Sequence, residues 1–226
     1  MPAPHGDHRS VTVRAGPALL EGELSIPGDD GGIVLFAHGS GSSRHSPRNR
    51  HVAQFLREGA LGTLLIDLLT SEEETAEAAT RHLRFDIELL GERLVALTDW
   101  LRAQPDTRGL PLGYFGASTG AAAALMAAAR RPEEVRAVVS RGGRPDLARP
   151  SLPRVAAPTL LIVGERDALV LDLNRDALGQ LRCEKALAIV PAATHLFEEP
   201  GALDEVARLA REWFRRHLAG ETKERP

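Results

Sequence analysis

Cysteine is nearly absent from this 226-residue chain, where Cys183 stands alone. One thiol closes no internal disulfide and builds no cysteine metal site; lying away from every motif discussed below, it reads as inert. Aromatic residues are scarce too, at 4%, which leaves the core to Leu, Val, Ile and Ala. Lysine is confined to Lys185 and Lys223, so arginine carries nearly all the positive charge. The 28 basic and 31 acidic residues give a net charge of −3, with no basic surplus to favour nucleic acid or an anionic membrane as partner. No apolar run approaches the roughly 18 residues that cross a bilayer. The stretch Met1–Ser10 has Pro, Gly and His in place of a signal-peptide core. A soluble protein of the reducing cytoplasm is the expectation. His, Asp and Glu show no convincing metal spacing, so neither metal nor cofactor is expected.

What is present is a 43% hydrophobic content arranged as alternating short and long apolar patterns. Val11 and Val13 alternate with polar neighbours, a Gly16-Pro17 turn follows, and Leu24 and Ile26 alternate again. This predicts an antiparallel strand pair closed by Pro27-Gly28. The continuous apolar runs Ile33–Ala37 and Leu61–Leu69 predict strands buried on both faces, with a helix over Arg48–Glu58 between them. Ser71-Glu72-Glu73-Glu74 predicts a capping box opening an acidic segment, whose Glu72–Glu77 run reads as a solvated helix face. Apolar positions 83, 87, 90, 94, 97 and 101 predict one long helix ending before Pro105. Further strands are expected at Leu112–Phe115, Val135–Val139, Thr159–Val163 and Ala186–Val190. Helices are expected at Thr119–Arg131, around Leu173–Leu181 and over Leu203–Leu218. Strands alternating with helices imply a mainly parallel sheet with helices on both faces. No linker or repeat interrupts the rhythm, so residues 1–226 read as one domain, with about 1–9 and 220–226 as flexible ends.

The chemistry is expected beyond the carboxyl ends of the strands. Gly116-Ala117-Ser118-Thr119-Gly120 sits between a strand and an alanine-rich helix, the arrangement of a nucleophile elbow. There the flanking residues must be very small and the serine oxygen stands at a helix N-terminus. Asp167 follows the next strand but one, and His195 follows the last. In the order Ser…Asp…His, Ser118 attacks an acyl carbon and His195 takes and returns its proton. Asp167 holds the imidazole tautomer; Glu165 and Asp172 are nearby acids. Two backbone N–H groups, of Thr119 and of Ser40 in the loop His38-Gly39-Ser40-Gly41, are the expected oxyanion donors. His38 reads as fixing that loop by hydrogen bonds. Arg84 and Arg141 lie on segments that could reach the pocket mouth and hold a substrate carboxylate. His45 and His51 read as solvent-facing.

Taken together, the elbow, the His38–Gly41 loop, Gly164-Glu165-Arg166-Asp167 and Ala193-Thr194-His195 resemble the α/β-hydrolases, and among them the dienelactone hydrolase-like group. The resemblance runs from about Val11 to the last helix. It implies a single-domain α/β-hydrolase fold: a mainly parallel sheet with an N-terminal antiparallel strand pair and helices on both faces. True dienelactone hydrolases carry a cysteine nucleophile, whereas this chain has Ser118. The short Ser140–Pro158 stretch implies the absence of a cap domain. The expected activity is hydrolysis of a small or medium carboxylic ester, thioester or related acyl compound through an acyl-enzyme. The same triad would also serve an acyltransferase, a peptidase or an amidase, and the fold could carry a non-catalytic binding protein.

Overall fold

In a computed structural model of the chain, residues 8–26, 31–80 and 82–219 are described, with backbone only at 77–80 and 84. Eight strands form one sheet: β1 (His8–Ala15), β2 (Ala18–Ser25), β3 (Ile33–Ala37), β4 (Gly62–Ile66), β5 (Leu112–Ala117), β6 (Val135–Arg141), β7 (Thr159–Gly164) and β8 (Lys185–Val190). Their order is β1-β2-β4-β3-β5-β6-β7-β8. β1 and β2 pair antiparallel around the Gly16-Pro17 turn, and β2 joins β4 antiparallel. Every later pairing is parallel. The expected closing turn at Pro27-Gly28 lies outside the described residues.

The helices among the described residues are α1 (Pro47–Glu58), α2 (Ser71–Thr80), α3 (Ile87–Ala103), α4 (Thr119–Arg130), α5 (Ala168–Gln180) and α6 (Ala202–Leu218). Side chains on a strand alternate between faces, and the core divides accordingly. Phe36, Phe115 and Val139 pack towards α1 and α6, against Leu56, Val206 and Phe214. Leu35, Tyr114 and Val138 pack towards α3 and α4, against Leu94 and Leu125. Helix α4 is buried nearly all round, from Thr119 to Ala128, which explains its alanines: small side chains let it lie close to both the sheet and α3. A Cβ on Gly91 of α3 would stand 2.0 Å from Met126 Cε of α4.

Three boundaries differ from the pattern in the sequence. The helix expected from position 83 is interrupted: Leu83–Phe85 is a short 3-10 turn, and Asp86 starts α3 by accepting the Leu89 N–H at 3.0 Å. The capping box of α2 sits one residue earlier, because Thr70 rather than Ser71 is the cap. Glu73 N–H reaches Thr70 Oγ1 (3.3 Å) and Thr70 N–H reaches Glu73 Oε2 (2.8 Å). Strand β4 stops at Ile66, and Leu68 and Leu69 belong to the loop beyond it. The acidic run is also more than a solvated face. Glu73 pairs with Arg93, which is 4% exposed and also donates to the Leu68 carbonyl, pinning α2 over the sheet end. Between β6 and β7 there is no inserted domain, only a 3-10 stretch over Pro145–Arg154.

Candidate active site

Ser118 joins β5 to α4 with φ 52° and ψ −121°. That strained backbone is uncommon for a residue with a Cβ and needs surroundings that enforce it. The neighbouring glycines show how. A Cβ on Gly116 would stand 2.4 Å from Ala121 Cα, and one on Gly120 would stand 2.2 Å from the Ala37 carbonyl oxygen. The Ser118 N–H donates to the Arg141 carbonyl (3.2 Å), and the Ser118 carbonyl accepts from Ala121 and Arg144 N–H (both 3.1 Å). The hydroxyl makes no capping bond to the helix it precedes. A serine serving as an ordinary helix cap would use its oxygen that way.

His195 and Asp167 are joined directly. Nδ1 of the ring donates to Asp167 Oδ2 at 2.6 Å, with Asp167 15% and His195 40% exposed. Asp167 precedes α5 but spends no carboxylate bond on capping it. The other nearby acids are engaged elsewhere: Glu165 accepts the Ala192 N–H (2.7 Å) and Asp172 faces Arg175 (3.2 Å). The turn after β7 and the loop after β8 are laced together, for Arg166 N–H donates to the Ala193 carbonyl (2.9 Å). A Cβ on Gly164 would meet that same carbonyl at 2.4 Å. Gly142, at φ 52°, lies under the His195 ring, where an added Cβ would come within 3.5 Å of Nδ1 and Cε1. Its role is not legible in the sequence, although Gly142-Gly143 after a strand marks a close approach.

The loop after β3 touches the elbow. A Cβ on Gly39 would stand 3.0 Å from Ser118 Cβ. The buried His38 fixes this loop: its Nδ1–H donates to the Gly39 carbonyl (3.0 Å) and its Nε2 accepts the Leu68 N–H (2.9 Å). Both roles require a neutral ring, and burial holds its pKa below the ordinary value against the opposing pull of the Gly39 carbonyl and Asp67. Arg44 ties the same loop to the end of β4, through its N–H (2.6 Å) and guanidinium to Asp67. The sequence reading missed that pair.

The oxyanion candidates are adjacent but not idle. Ser40 N–H donates to Thr119 Oγ1 at 3.1 Å, and the two hydroxyls are 3.0 Å apart. The Thr119 N–H belongs to the first turn of α4, where intrahelical bonding leaves donors without partners. Beside these groups lies a cavity of about 310 Å³, lined by Ser40, Ser42, Thr119, Leu69, Leu90 and Glu74. Its walls are hydroxyls and leucines, with Glu74 the acidic group facing it. Desolvation, reinforced by Asp67, raises the Glu74 pKa.

The two arginines singled out in the sequence fall differently. Arg84 lies on the 3-10 turn before α3, and its side chain is outside the described residues. Arg141 ends β6 and is 8% exposed; its Nε and Nη1 have no hydrogen-bond partner. Burial, with Arg48 nearby, pushes its pKa down to about 10. His45 and His51 are both largely exposed, and His51 contacts Asp204 at 2.8 Å. Among the described residues no cluster of His, Cys, Asp and Glu could hold a metal ion, and no helix is long and apolar enough to cross a membrane.

Comparison with known proteins agrees with this architecture. A solved structure named as a dienelactone hydrolase from Anabaena variabilis superposes with a TM-score of 0.93 at 62% identity, covering 95% of this chain and 99% of that one. Est1E from Butyrivibrio proteoclasticus shares the fold with a TM-score of 0.79 at 14% identity, covering 93% of this chain and 99% of its own. Two Mycobacterium tuberculosis proteins, provisionally named phosphoribosyl transferases, are 60% identical over 210 residues; these are 93% of this chain but 46% of theirs. The chain thus spans about half the length of those relatives. The model of the dienelactone hydrolase family matches residues 50–218, and the chain belongs to that family.

Proposed function

We propose that the protein is a serine hydrolase that cleaves a small or medium carboxylic ester, thioester or related acyl compound through an acyl-enzyme. The observation that carries this reading is the Asp167–His195 hydrogen bond at 2.6 Å, in an arrangement whose elbow serine leaves its hydroxyl out of helix capping. Asp167 accepts Nδ1–H and so leaves Nε2 as the basic nitrogen. Nε2 takes the Ser118 proton as Oγ attacks the acyl carbon. The carbonyl electron pair moves onto oxygen, then returns as the bond to the leaving group breaks and that group takes the proton from His195. Water repeats the sequence in reverse roles and releases the acid.

The oxyanion is held by two backbone donors, the Thr119 N–H and the Ser40 N–H. Ser40 N–H is held by a neutral hydroxyl oxygen. A negatively charged oxygen is the stronger acceptor and would draw that donor to itself. The adjacent cavity of about 310 Å³ suits a compact acyl group. The provisional phosphoribosyl transferase names belong to chains of which this one matches 46%, so that activity is not carried over.

The test is an ester chain-length panel run on wild type and Ser118→Ala. Turnover of short acyl esters that vanishes in the variant is expected. Near-normal turnover in Ser118→Ala would end the proposal.

A further inference from the structure

Arg141 sets a problem that the triad leaves unsolved. A guanidinium removed from water needs a counter-charge or hydrogen-bond acceptors, yet Arg141 is 8% exposed and neither Nε nor Nη1 is bonded. The charged group that acts on it is another cation, Arg48. Arg48 in turn has a buried, unbonded Nε and, among the described residues, pairs with the exposed Glu198 at 3.3 Å. Arg48 stands in the first turn of α1, a 12-residue helix with no acidic residue in that turn, so the helix dipole adds to the positive potential. Two under-satisfied guanidiniums and a helix N-terminus therefore share one corner, with Glu198, among the described residues, the carboxylate paired with Arg48.

The corner's place in the fold says which part of a substrate it would meet. Ala137 and Val139 of β6 face the α1 and α6 layer, and Arg141 continues that alternation. The cavity beside Ser40 and Thr119 instead involves Leu69 and Leu90, which belong to the α3 and α4 side. β3 and β6 flank β5 on opposite edges, so the cavity and the arginine lie on opposite sides of Ser118. Gly142, next to Arg141, underlies the His195 ring. The group that takes its proton from His195 is the leaving group, so it lies on the arginine side while the acyl group occupies the cavity.

We infer that Arg141, assisted by Arg48, binds an oxyanion carried by the leaving group of the substrate, a carboxylate or a phosphate. This inference rests on the reading of Ser118 and His195 given above. It assigns the charge to the alcohol or thiol part of the substrate and a neutral character to the acyl part.

The experiment keeps the acyl group constant and changes the charge of the leaving group. Meta-acetoxybenzoate and meta-acetoxyphenyl phosphate are compared with the neutral meta-acetoxybenzamide, for wild type, Arg141→Gln and Arg48→Gln. At least one anionic ester should exceed the amide in kcat/KM by about tenfold, as fits a charge-assisted contact. Which one does so separates carboxylate from phosphate recognition. That ratio should fall towards unity in Arg141→Gln and partly so in Arg48→Gln. Benzoate or phenyl phosphate should likewise slow labelling of Ser118 by a neutral fluorophosphonate more than benzamide does. Because Arg141 adjoins the elbow, each variant's labelling rate with no added ligand serves as the reference for the integrity of Ser118. A wild-type ratio near or below unity with measurable amide turnover overturns the inference and leaves the hydrolase reading intact. So does a ratio that neither variant alters. If no ester turns over and Ser118 takes no label, both fall together.

Discussion

The two sides of Ser118 are built from different materials. Towards β3, the contacts nearest the elbow are neutral: His38 bonded at both ring nitrogens, and Ser40 tied to the Thr119 hydroxyl, while the loop's ionic tie, Arg44 to Asp67, runs to the end of β4. Glycines there let backbones approach until an added Cβ would collide. Towards β6 and β8, the surroundings are ionic, with the Asp167–His195 pair and the under-satisfied Arg141. One side fixes the position of backbone dipoles, while the other moves or compensates charge. In a hydrolytic cycle these correspond to stabilising an oxyanion and shuttling a proton, and the divided architecture suits that division of work.

Substitutions at the boundary between the sides should have the largest effect. Ser118→Ala should lower kcat by on the order of 10⁴-fold or more, since removing the nucleophile disables the triad as a unit; stopped assays with long incubation would check it. On the ionic side, Asp167→Asn should cost about 10³- to 10⁴-fold in kcat through the wrong imidazole tautomer, with little change in thermal stability. A loss below tenfold would show that His195 does not depend on Asp167 as its 2.6 Å contact suggests.

On the neutral side, effects should be smaller. Thr119→Val removes the hydroxyl that holds Ser40 N–H, and kcat should drop by about fivefold, near the value of one neutral hydrogen bond. Thr119→Ser should restore most of it. An increase in kcat for Thr119→Val would mean instead that releasing Ser40 N–H from the hydroxyl outweighs the positioning the hydroxyl gives the loop.

The smallest effect expected is one of pH on folding. The His38 pKa is lowered by burial, so the unfolded chain binds more protons than the folded one as pH falls below about 6.5. Stability contributed by neutral His38 is therefore complete above that pH and declines below it, through the lowered folded-state pKa. Burial lowers the pKa of His217 in the same sense, so the difference between wild type and His38→Gln isolates the His38 share. Denaturant melts of the two from pH 8 to pH 5 should converge as the pH falls.

Much of this was legible in the sequence because the informative residues sit at strand ends. Gly116–Gly120, Gly164–Asp167 and Ala193–His195 each follow a short apolar run, and an alternating α/β pattern brings all such ends to one rim. The alanines of α4 marked a helix after the elbow, and its burial from Thr119 to Ala128 accounts for them. What could not be read depends on partners distant in sequence. Arg93 reaches Glu73 and the Leu68 carbonyl across the sheet end, so an acidic run that reads as solvated is in fact pinned. The shift of the α2 cap from Ser71 to Thr70 is a choice between two good capping residues, made by where Arg93 holds Glu73. The interruption at Asp86 was hidden because Leu83 keeps the apolar spacing of α3 without belonging to it. Arg141 was visible as a cation near the site. Its missing partners are a property of packing alone.

Covalent acylation of Ser118 can be observed by intact-protein mass spectrometry after mixing with a short activated ester. A mass increase of one acyl group is expected, mapped to the peptide containing Ser118 and decaying as acid is released, with no increase in Ser118→Ala. An adduct mapped to another residue, or ester turnover in which neither an adduct nor fluorophosphonate labelling of Ser118 is seen, would contradict it.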